Sequence, residues 1–174
     1  MVSISLAVLA TALLYNSNWF HSVFFPNDFY KDVYSVEYDT TKVGESVSIP
    51  LKYNFNTCYA LEMAVHDKKL FYSRASLNGM LRYRFMSKGL VVAEGLTQRP
   101  NNRYMIFYRG MTSIIIMTFD LPFVDNGDEL TLNLEVVEPM AFLEPFSGNI
   151  VCRVKPSYDA KLGKCHGEAL RIVY

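Results

Sequence analysis

Charge is what this sequence first lacks. None of its first 27 residues is acidic or carries Lys or Arg; Asp28 is the first carboxylate and Lys31 the first strong base. A secretory signal normally opens with a basic stretch and closes on a small-residue cleavage site. Here the one good A-x-A site, Ala10-Thr11-Ala12, lies inside the apolar run. No cysteine precedes Cys58, so no N-terminal lipidated cysteine is available within this sequence.

Net charge is missing as well. Seventeen Lys and Arg balance seventeen Asp and Glu, which gives no overall field to attract nucleic acid. Histidine is scarce, with only His21, His66 and His166 to serve as acid–base groups near neutrality. Cys165 and His166 are neighbours, but adjacent strand residues face opposite ways and no orienting acid accompanies them. Cys152, Cys165 and His166 match no common metal-ligand spacing. No repeat or low-complexity tract occurs, which excludes a solenoid and a disordered tail. These absences predict a protein without catalysis, cofactor or metal.

What is present begins with hydrocarbon. Residues 2–15 are almost wholly apolar, Asn16-Ser17-Asn18 interrupts them, and Trp19–Phe25 resumes the pattern. We read residues 1–25 as a hydrophobic N-terminal helix, at a length between a signal core and a full span. An uncleaved anchor, an atypical signal and a helix buried in the fold all fit; Tyr15 and Trp19 suit a membrane interface. Residues 26–32 are expected to be a linker. Lys31 and Lys42 follow the segment, and counting them alone favours a cytoplasmic domain. We nevertheless expect a membrane-associated or exported protein, with the periplasmic side favoured.

Residues 33–174 are dominated by period-two alternation, as half-buried strands require. Val47, Ile49, Leu51, Tyr53 and Phe55 share one face, and Pro50, on the other, predicts an edge strand because proline cannot donate to a ladder. Tyr59, Leu61, Met63 and Val65 repeat the pattern after Asn56-Thr57, which we read as a tight hairpin. Leu81, Tyr83 and Phe85 alternate with Arg82 and Arg84; Leu130, Leu132, Leu134 and Val136 alternate with polar residues. Ser113–Phe119 looks buried on both faces. The expectation is an all-β fold, an antiparallel β-sandwich of about 8–10 strands behind the N-terminal helix.

Several clusters invite a functional reading. Asp120, Asp125, Asn126, Asp128 and Glu129 gather oxygen ligands without EF-hand spacing, and Asn126-Gly127 reads better as a hairpin turn. Cys152 and Cys165 are the plausible disulfide couple, with three reduced core cysteines as the alternative. Arg82 and Arg84 share a strand face, and Arg99 and Arg103 precede the next strand. We take these four as a candidate partner-binding face for an acidic protein; a solvated sheet face is the plainer account. Interleaved aromatics would suit single-stranded nucleic acid, but Tyr83 and Phe85 occupy core positions and the net charge is zero.

The stretch Lys42-Val43-Gly44-Glu45-Ser46-Val47-Ser48-Ile49-Pro50-Leu51-Lys52-Tyr53, followed by Cys58-Tyr59-Ala60-Leu61-Glu62-Met63, resembles small bacterial cell-envelope β-sandwich proteins of the toxin-immunity type. That resemblance implies binding rather than catalysis: an immunity protein that neutralises a toxin by occluding it. Two other readings stay open. One is a structural or accessory subunit of an envelope assembly; the other is a small-ligand or glycan-binding sandwich.

Overall fold

The computed structural model describes residues 14–73, 75–101, 105–108, 110–121, 130–166 and 169–172. Among the described residues, ten strands in two sheets form a mostly antiparallel β-sandwich, in keeping with the alternation. Sheet A runs β1 (Tyr34–Glu37), β9 (Val151–Pro156), β3 (Cys58–Val65) and β7 (Met111–Asp120). On the far side of β7 lie β6 (Met105–Tyr108) and the short parallel β10 (Leu170–Arg171). Sheet B runs β2 (Ser46–Leu51), β8 (Leu130–Glu138), β4 (Met80–Ser87) and β5 (Leu90–Leu96).

Pro50 sits on β2 at the edge of sheet B, opposite Thr131, where its missing N–H costs no ladder bond on the open side. Leu130, Leu132, Leu134 and Val136 turn inward from β8. Between the sheets, the Phe119 ring lies 5.1 Å from Phe85 and 6.4 Å from Tyr59. Each such side chain contributes about 1.5–3 kcal/mol by leaving water. β4 turns into β5 through Lys88-Gly89, both at positive φ, the geometry that matches strand twist in a two-residue hairpin. At Gly95 on β5 a Cβ would lie 2.6 Å from the Tyr83 hydroxyl, so the ring covers the glycine instead.

Three expectations need correction. Asn56-Thr57 is not a hairpin: β2 belongs to sheet B and β3 to sheet A, so residues 52–57 cross between the sheets. Alternation looks the same in either case. β2 stops at Leu51, and Phe55 leaves the sandwich to meet the rings of Phe29 at 4.9 Å and His21 at 5.2 Å. Residues 26–32, expected as a linker, contain the helical turn α2 (Pro26–Phe29), whose Phe29 is buried through that contact.

Of the N-terminal segment, residues 1–13 lie outside the described residues. The described part holds a short helix, α1 (Asn18–Phe24), capped by Ser17, whose Oγ accepts from the Phe20 amide at 3.1 Å. No helix among the described residues is long and apolar enough to cross a membrane, which says nothing about crossing by strands.

Candidate binding surfaces

The cysteines pair differently from expectation. Cys58 and Cys165 form the disulfide across 107 residues with Cα atoms 4.7 Å apart, and Cys152 is free and buried. Cys152 lies on β9 opposite Met63 and Val36, pointing into the core, where burial raises its thiol pKa and leaves it inert. Cys165 instead follows the 3₁₀ turn Tyr158–Leu162 and arrives at the start of β3. There its amide donates to Asp120 Oδ1 at 2.8 Å. Among the described residues, Cys58, Cys165 and Asp120 offer donor atoms within 4.8 Å of one another. Two of those donors are spent in the disulfide, so the set is not a metal centre in this state. The loop 122–129 lies outside the described residues.

Arg82 and Arg84 stand on the exposed face of β4 in sheet B, and Arg99 follows the end of β5. Arg82 donates to Glu135 at 2.7 Å, Arg84 to Glu94 at 3.0 Å, and Arg99 lies 3.2 Å from Glu138. Arg103 lies outside the described residues. Each described guanidinium thus has a carboxylate from a neighbouring strand, and the face carries alternating charge rather than a positive field. Exposed pairs of this kind contribute about 0–1 kcal/mol each.

Sheet A carries a different kind of ion pair. Glu62, in the middle of β3, is 1% exposed although it points away from the core. Arg153 of β9 grips it, with Nε at 2.9 Å and a terminal nitrogen at 2.7 Å from the same oxygen. Lys155 lies 3.9 Å from the other oxygen, and Arg153 extends across to Met111 Sδ at 3.1 Å. Ala60 and Ala64, two residues either side of Glu62 on β3, and Ser113, paired with Ala64 on β7, are small and buried. Burial raises the Asp32 carboxyl pKa nearby, opposed by Arg153 and Lys155. Sequence reading missed this pair. Its signal was a lone acid inside the apolar run Cys58–Val65, with cations at alternate positions of Val151–Pro156.

Among the described residues, large apolar side chains are exposed on β5 (Leu90, Val91 and Leu96) and, with aromatic rings among them, on two further surfaces. The first is the N-terminal helix. Asn18 Nδ2 donates to the Asn56 carbonyl at 2.9 Å and Ser22 is buried, while Trp19 is 51% and Phe24 59% exposed. Leu14, Tyr15, Val23 and Phe25 are exposed with them. A helix on a globular surface normally does the reverse, burying its apolar stripe and exposing its polar face. Packing of α1 against the Tyr158–Leu162 turn fixes this orientation, and the disulfide ties that region to β3. The second surface joins α3 (Lys69–Tyr72) to β6: Phe71, Tyr72, Ile106, Phe107 and Tyr108 are exposed, with Phe71 and Phe107 in ring contact at 6.1 Å.

His66, just past β3, and His166, just past the disulfide, are both exposed, and His21 packs on Phe55. No protein-family profile matches the chain, and no curated protein matches it. Its fold is similar to the crystal structure of a protein from Sulfurospirillum deleyianum, with a TM-score of 0.51 at 12% identity. The similarity covers 72% of this chain and 97% of that one, and at this identity it speaks for the β-sandwich alone.

Proposed function

We propose that this protein is a non-catalytic binding module held at a membrane surface of the cell envelope. The observation that carries the reading is the reversed orientation of α1, whose Asn18 bonds the Asn56 carbonyl and whose Ser22 is buried while Trp19, Val23 and Phe24 face out. Those rings continue a charge-free stretch of sequence and form an interfacial belt of the type that seats a domain on lipid. A Cys58–Cys165 bridge fits an oxidising compartment and hence export.

Protein binding belongs to the second apolar surface. Phe71, Tyr72, Phe107 and Tyr108 are the residue types that dominate interface energetics, and they present a rim for occluding a toxin's active-site mouth, as an immunity protein does. The arginine face is the weaker choice, because its charges are already balanced by Glu94, Glu135 and Glu138. An accessory envelope subunit is the second reading; β6, a short outer strand with apolar side chains, favours it through strand addition.

The test of the membrane step is flotation of the full chain with phosphatidylcholine vesicles. Wild type should float and a Trp19→Ser/Phe24→Ser variant should not; a double variant that floats equally well removes the reading. For the partner step, envelope extract is passed over immobilised protein. Retention should be lost with Phe71→Ser/Phe107→Ser and kept with Arg82→Glu/Arg84→Glu; the opposite pattern returns the site to the arginine face.

A further inference from the structure

We infer that the cleft between α1 and the crossing segment 52–57 is a binding site for an uncharged sugar. It is open, encloses about 530 Å³, and falls in the size range of small-molecule sites. Four asparagines, Asn16, Asn18, Asn54 and Asn56, line it together with Ser17, His21 and Phe55. Apart from His21, no side chain in this lining is ionisable, so nothing here selects a phosphate or a carboxylate.

A carboxamide both donates and accepts, and it matches a pair of neighbouring hydroxyl groups in either sense. Phe55 is half-buried, with the rings of Phe29 at 4.9 Å and His21 at 5.2 Å against it, and the part it leaves exposed offers apolar surface to the C–H groups of a pyranose. The walls are held in advance of any ligand. Asn18 bonds the Asn56 carbonyl, Tyr59 Oη donates to the Phe55 carbonyl at 2.6 Å, and Thr57 Oγ1 donates to the Ala160 carbonyl. Preorganisation of this kind lowers the entropic cost of capture. Asn54 and Asn56 are exposed, so their side chains are presented to solvent rather than used in the core.

The sugar has two sources, a free glycan or the headgroup of a neutral glycolipid. The second rests on the membrane attachment proposed for α1, since that helix forms one wall of the cleft; the first does not. Full-length protein is titrated with maltose and with lactose while the His21 and Phe55 ring signals are followed by NMR. Flotation is compared between phosphatidylcholine vesicles with and without hexosyl-diacylglycerol.

Saturable shifts with either disaccharide, reduced at least tenfold in Asn54→Ala/Asn56→Ala, support the site and identify a free-glycan source. Preferential flotation with the glycolipid, lost in the same variant, supports a headgroup source. The variant should keep the wild-type melting temperature and its flotation with plain vesicles. If neither disaccharide shifts the two rings and the glycolipid adds nothing to flotation, the site is refuted, whatever plain vesicles do.

Discussion

The two sheets of this sandwich treat their outer surfaces in opposite ways. Sheet B carries exposed cross-strand charge pairs, Arg82–Glu135 and Arg84–Glu94, and its exposed apolar side chains, Leu90, Val91 and Leu96, are aliphatic and confined to edge strand β5. Sheet A draws one charge pair, Glu62–Arg153, out of water and leaves its β6 side, with α3, lined by exposed aromatic surface. The lesson is that an arginine's location in a sequence says little about its use. The same residue type is inexpensive decoration at 47% side-chain exposure and a structural necessity beside a carboxylate at 2%.

The proposed membrane attachment gives the largest expected contrast. Trp19 and Phe24 are only half exposed, so each stands to gain about half of the roughly 1.5–3 kcal/mol of full burial, and replacing both with Ser should cut vesicle affinity by about tenfold to a hundredfold. Replacing Arg82 and Arg84 with Ala should leave flotation unchanged; equal losses from both variants would erase the distinction between the surfaces. Next comes the buried pair. Arg153→Ala leaves the buried Glu62 carboxylate with only Lys155 at 3.9 Å, and should destabilise the fold by up to about 3–5 kcal/mol in urea titration. Arg82→Ala should cost less than about 1 kcal/mol in the same assay, and a similar cost for both would refute the contrast.

Loss of the Cys58–Cys165 bridge ranks next, at about 2–5 kcal/mol for Cys58→Ser. The comparison sharpens if the damage is local. Amide exchange should rise more around α1 and residues 158–165 than along β4 and β8, since the bridge anchors the former.

The smallest effect concerns acid. Hydrogen bonds from Thr41 and the contact with Lys42 hold the Asp39 carboxyl pKa well below the usual carboxylate range. A depressed folded pKa means its contribution is present above the unfolded value of about 4 and is lost as pH falls below it. Asp39→Asn should therefore lower the melting temperature slightly at pH 7, and the difference should shrink progressively as pH is lowered below about 4.

Much of the fold was legible because alternation is a local property. Inward Leu132 and Leu134, outward Arg82 and Arg84, and the edge position of Pro50 all follow from period two and proline chemistry within a few residues. The Asn56-Thr57 hairpin failed for the same reason: a strand pattern does not say which sheet the strand joins. The arginine face was found as a set of positions, but Glu94, Glu135 and Glu138 come from other strands.

By itself, the sequence determined the sandwich, its alternating faces and the charge-free approach to it, because these depend on neighbours along the chain. Tertiary structure alone decided that Cys165 meets Cys58 rather than Cys152, and that Arg153 covers Glu62. It also turned the rings of α1 outward. Each of these depends on distances between segments far apart in the chain, set by packing of the whole domain rather than by any residue's own preference.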